Sequence, residues 1–78
     1  MAVVDVRDYV NVIPAVKHSP TGVLWSRYDA EADTLYINFK KPSRATDSKL
    51  TDDDVIMRYE RKKLVGYTIM HASKRRRS

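Results

Sequence analysis

The chain has 78 residues and a mass of 9.0 kDa, with 42% hydrophobic residues, which suits one small domain around a modest core. That size excludes a dinucleotide fold with a deep cleft, the absence of cysteine excludes disulfides and thiolate chemistry, and no apolar run approaches the roughly 20 residues of a bilayer span. The net charge of +5 rests on Lys74, Arg75, Arg76 and Arg77, because without them the body holds 11 basic against 10 acidic residues, which excludes a uniformly basic fold.

Residues 5–18 read as a helix in which Val6, Tyr9, Ile13 and Val16 form one apolar stripe. Asp5 is a good N-cap, Asp8 adds negative charge to the first turn, and Lys17 and His18 carry the right sign for the far end. Pro14 lies inside this pattern, where an interior proline costs about 3 kcal/mol. The segment is therefore expected as either a kinked helix or two short turns, with Pro14 opening the second. Ser19-Pro20-Thr21-Gly22 ends it with turn chemistry. Residues 23–39 read as a β-hairpin: Leu35, Ile37 and Phe39 alternate with Thr34, Tyr36 and Asn38, and residues 29–33 form its loop. Residues 40–53 read as the longest unstructured stretch. A third strand follows at about 55–59, then a polar turn at Glu60-Arg61-Lys62-Lys63 and a fourth strand from Leu64 to Met70. The basic tail, residues 72–78, lacks a core-forming pattern and is expected to fray. The fold class expected is α+β, an N-terminal helix on one face of a four-stranded antiparallel meander over residues 23–71.

Asp29-x-Glu31-x-Asp33 imitates the first ligands of a calcium loop, but counted from Asp29 the glycine position holds Thr34 and the bidentate glutamate position holds Lys40. A solvated hairpin loop is the plainer reading, and no metal or cofactor is expected. His18 and His71 are the two histidines; a nucleophile would need one of them beside a serine and oriented by a carboxylate, and Ser73 two residues from His71 does not make a triad. With Gly22 and Gly66 as the two glycines there is no phosphate loop, and an enzyme is not expected. Lys74, Arg75, Arg76 and Arg77 could release about three to four counterions from duplex DNA, giving weak, salt-sensitive binding; a solubilising terminus is the plainer alternative. Tyr36 alternates away from the helix-covered face, together with Arg58 and Thr68. With Trp25 these residues are expected to form a dimer or partner surface; stacking on single-stranded nucleic acid or ordinary sheet packing are the alternatives.

The run Tyr28-Asp29-Ala30-Glu31-Ala32-Asp33-Thr34-Leu35-Tyr36-Ile37, followed by Val65-Gly66-Tyr67-Thr68-Ile69 and Ala72-Ser73-Lys74-Arg75, resembles the domain-of-unknown-function family 2283 over residues 24–75. The resemblance implies a small bacterial or archaeal protein with no transferable catalytic residues, in a family some of whose members are predicted to be antitoxin-like partners of small toxins. It marks Tyr28, Asp29, Asp33, Leu35, Tyr36 and Gly66 as a structural motif, with Asp29 and Asp33 as turn formers. The chain departs from it in lacking a glycine in the last hairpin, in carrying His71 where asparagine is usual, and in its longer, basic 40–50 loop. The expectation is a cytoplasmic, non-membrane, non-enzymatic interaction module, a homodimer that takes a small protein partner as an antitoxin-like inhibitor. Weak non-specific nucleic-acid binding through the basic tail and loops is the alternative.

Overall fold

Residues 5–75 are described by a computed structural model, and they begin with a helix that breaks where its proline requires. Helix α1 (Val6–Val10) starts at Asp5, whose carboxylate accepts the Arg7 backbone N–H at 2.9 Å and the Arg7 guanidinium at 2.8 Å. Helix α2 (Ile13–Lys17) follows after Asn11 and Val12, which both keep right-handed backbone angles. Pro14 stands in the first turn of α2, where a missing N–H leaves no helical bond unmade. Of the two alternatives in the sequence, two short helices are what forms. The Ser19 hydroxyl then donates to the Val16 carbonyl at 2.9 Å beside the end of α2.

The remainder is one antiparallel sheet of β1 (Trp25–Asp29), β2 (Thr34–Asn38), β3 (Asp47–Leu50), β4 (Val55–Glu60) and β5 (Lys63–Met70). Its order is β1-β2-β5-β4-β3. Two expectations are corrected here. The sheet has five strands rather than four, and it is not a simple meander, because β5 inserts between β2 and β4 while residues 39–46 carry the chain to the far edge. The added strand, β3, lies in the stretch expected to be unstructured. Asp-Ser-Lys-Leu carries little strand propensity and all four residues are exposed, so the strand owes its existence to the β4 ladder. Thr46 N–H donates to the Tyr59 carbonyl at 2.7 Å and Thr51 N–H to the Val55 carbonyl at 2.8 Å, fastening both ends.

Register sorts the side chains. Leu35 opposes Ile69, which opposes Val55; Ile37 opposes Tyr67, which opposes Met57. These share one apolar face, and the α2 end lies against it: Ala15, His18 and Pro20 border the same cleft as Ile37, Phe39 and Tyr67. The opposite face carries Trp25, Asn38, Gly66 and Arg58 in one row and Arg27, Tyr36, Thr68 and Ile56 in the next. The core is thin. Among the described residues Phe39 and Val65 are the buried apolar side chains, at 6% and 4% exposure, and the Phe39 ring meets Tyr67 edge-on at 5.5 Å.

Of the tail expected to fray from residue 72, the structure describes residues as far as Arg75. His71 turns the chain with φ of 55° into a single 3-10 turn, Ala72–Lys74, and the Ala72 N–H donates to the Asp33 carbonyl at 2.9 Å. Residues 76–78 of that tail lie outside the described residues. Among the described residues no helix is long and apolar enough to cross a membrane.

Candidate functional site

The acidic hairpin loop spends its carboxylates on the fold. Asp29 Oδ1 accepts the N–H groups of Glu31 and Ala32 at 3.1 and 3.2 Å, an Asx turn that closes the loop. Asp33, at φ of 51°, reaches in the other direction. Its carboxylate accepts the Tyr28 hydroxyl at 2.6 Å, the Ser73 N–H at 3.0 Å and the Ser73 hydroxyl at 2.9 Å. Asp33 thus ties β1, its own hairpin loop and the last turn together. The Tyr28 hydroxyl, then the two Ser73 donors, hold the Asp33 carboxyl below its usual value; the same bond pushes the Tyr28 phenol up. Ser73 Oγ is committed to Asp33, while His71 Nε2 faces Asp54 Oδ2 at 3.6 Å, so the serine and histidine of the C-terminal segment sit in separate contacts. Among the described residues no group of three or more His, Asp or Glu is placed to hold a metal ion.

The residues expected as an interface, Trp25, Tyr36, Arg58 and Thr68, do share the polar face, in two adjoining rows. Their surroundings differ. Arg58 Nη2 donates to the Ile37 carbonyl at 2.9 Å, Asn38 Oδ1 at 2.7 Å and the Tyr67 carbonyl at 3.2 Å, laying the guanidinium over Gly66. A Cβ at Gly66 would collide with the Ile37 carbonyl oxygen and with that guanidinium, so the glycine is required by a close approach. Arg58 is consequently a cross-strand clamp. Trp25 stays about half exposed, with Lys41 Nζ 4.9 Å from its ring centre, and Arg27 lies 5.2 Å from the centre of the Tyr36 ring. Between these pairs runs a basic groove of about 330 Å³ lined by Arg27, Asn38, Lys40, Lys41 and Ser43. Lys40 is paired to Glu60 at 2.8 Å and, by that contact above all, holds the glutamate carboxyl below its usual value. Ser43 Oγ is buried without a hydrogen-bond partner.

The apolar side presents a different surface. A cleft of about 390 Å³ opens between α2 with its following turn and the sheet, where Ala15, His18 and Leu24 face Phe39, Leu64 and Tyr67. No residue of either helix is buried, and Val6, Tyr9, Val10 and Ile13 are exposed by 53–70%. Of the stripe expected to cover the sheet, Val16 at the α2 end is half-buried, while Val6, Tyr9 and Ile13 are exposed. The spacing alone reads equally as a stripe for this sheet or for another surface, and no sequence signal separates the two. The 40–50 loop was read as basic, but a basic loop carries no pattern that says where it folds, so its place beside Trp25 and Arg27 was not foreseen.

Of the terminal cations assigned to nucleic acid, Arg75 is engaged: Nε donates to the Met70 carbonyl at 3.0 Å and Nη2 to the carbonyls of Asp53 and Asp54. Lys74 is exposed, and Arg76 and Arg77 lie outside the described residues. Residues 25–73 match the family model described as "Protein of unknown function (DUF2283)", so the chain belongs to that family. Neither the curated proteins nor the solved structures contain a match to it.

Proposed function

We propose, on the premise of DUF2283 membership, that this chain is a non-enzymatic interaction module that works in the cytoplasm by assembling through its apolar surface, first with itself and then with a small protein partner that it inhibits. One observation carries this reading. Among the described residues two apolar side chains, Phe39 and Val65, are buried, while Val6, Tyr9, Val10 and Ile13 of the two helices are exposed beside an open apolar cleft of about 390 Å³. Apolar surface left in water on this scale gains from association. Native mass spectrometry of the tagged chain purified from its own host tests the reading. A dimer, or a dimer holding a small protein in fixed stoichiometry, is expected; a lone monomer at micromolar concentration overturns it.

A second reading has its own observation, the groove lined by Trp25, Arg27, Lys40 and Lys41, which suits the phosphates and bases of a single strand. Under this reading binding resides in the groove rather than the tail. Affinity for an oligonucleotide then falls steeply with salt, Lys41→Glu abolishes it, and deletion of residues 74–78 leaves most of it. Binding that survives Lys41→Glu, or no binding at low salt, removes this reading.

A further inference from the structure

We infer that the apolar cleft beneath α2 is the seat for helix α1 of a second copy of this chain, so that two protomers exchange their N-terminal helices reciprocally. The inference rests on the self-association reading above and specifies its contact. Both halves of the contact are on one chain and neither is used within it. Val6, Tyr9 and Val10 lie at i, i+3 and i+4 of α1, Ile13 follows at i+7 as the first residue of α2, and all four are exposed. The cleft between Ala15, His18 and the Phe39, Leu64 and Tyr67 side chains is apolar, open and about 390 Å³ in volume.

The backbone decides against the chain filling its own cleft. The cleft is bordered by Ala15 and His18 in the second half of α2 and beyond, whereas α1 leaves from the first residue of α2. Asn11 and Val12, the two residues between the helices, both have right-handed angles near φ of −68° and −82°, so α1 continues away from the cleft rather than reversing onto it. A second copy has no such constraint. A two-fold arrangement satisfies both protomers at once, since the stripe of each meets the cleft of the other. The exchange also covers the part of the apolar sheet face that α2, only five residues long, leaves partly exposed.

The absence of cysteine makes the test direct. Chains bearing Tyr9→Cys and chains bearing His18→Cys are mixed and oxidised gently. Each variant carries a single cysteine, so a heterodisulfide joins two chains, and it is expected to exceed the Tyr9→Cys homodisulfide severalfold. In parallel, sedimentation equilibrium of the wild-type chain is expected at twice 9.0 kDa. Tyr9→Asp is expected to halve that mass with the sheet signal in circular dichroism retained, while Tyr36→Asp on the opposite sheet face leaves it unchanged. A wild-type chain that sediments as a monomer overturns self-association altogether. A dimer that persists in Tyr9→Asp and forms no heterodisulfide overturns the exchange alone and leaves self-association standing.

Discussion

Asp33 ties the hairpin loop to the last turn of the described chain. One half-buried residue's carboxylate accepts three hydrogen bonds from residues five and forty positions away, and it does so from a left-handed backbone conformation. Asp and Asn tolerate that conformation better than most residues, because their short polar side chains satisfy local donors. Folding depresses the carboxyl below its unfolded value of 3.8, with the Tyr28 hydroxyl as the first cause. Its contribution is therefore present in full above that value and disappears as the pH falls through the lower, folded-state value. Thermal melts between pH 2 and 7 check this. Wild type is expected to lose stability below about pH 4, and Asp33→Asn, which keeps the backbone but not the charge, flattens part of that limb. The remainder persists in Asp33→Asn because Asp5 and Glu60 are depressed in the same direction, by Arg7 and Lys40 respectively. Asp33→Ala is less stable than Asp33→Asn at every pH, since it loses the acceptor and strains the turn as well.

At the scale of elements, the β4–β5 hairpin is the clearest conflict between sequence and backbone. Glu60 pairs with Lys63, leaving Arg61 and Lys62 as the two turn residues with φ of 50° and 71°. Both angles positive is the I′ geometry, which asparagine and glycine adopt and long side chains resist by about 1–2 kcal/mol each. Replacing the pair with Asn-Gly is expected to stabilise the protein by about 1–2 kcal/mol, a gain that chemical denaturation would read as a higher midpoint at constant m-value. No change, or a loss, would mean that Arg61 and Lys62 make contributions outside the turn. Strands β2 and β5 were legible because Leu35-Ile37 and Val65-Tyr67-Ile69 announce their faces by period, and β1 and β4 because they are runs of strand-forming residues. β3 was not, since Asp47-Ser48-Lys49-Leu50 has neither face buried and is specified by its neighbour. The break at Pro14 was legible from the ring chemistry. The strand order was not, because β5 reaches β2 through pairings that no local pattern encodes. The candidate site divided the same way: Tyr36 and Thr68 fall opposite each other as alternation requires, but Arg58 folding over Gly66 depends on a three-strand juxtaposition.

Whole-molecule behaviour follows from how little the single chain buries. Among the described residues two apolar side chains are buried while four large ones of the helices are exposed, so the hydrophobic stabilisation of the protomer is incomplete, and a domain of this length is marginal even when well packed. If the missing burial comes from a second copy, association stabilises the folded chain by mass action, and the melting midpoint depends on total protein. Each tenfold rise in concentration then adds about 1.4 kcal/mol to the folded dimer. With an unfolding entropy of about 2.1 cal/mol/K per residue over both chains, the melting midpoint rises by roughly 4 °C per decade. Differential scanning calorimetry across two decades of concentration reads this without any variant or label. A midpoint independent of concentration would mean that the protomer stands on its own core, and the apolar stripe of α1 would then have to be explained by something other than assembly. A rise of the expected size in wild type that vanishes in Tyr9→Asp would assign the missing burial to the helix stripe, because that residue touches no other part of the stability argument.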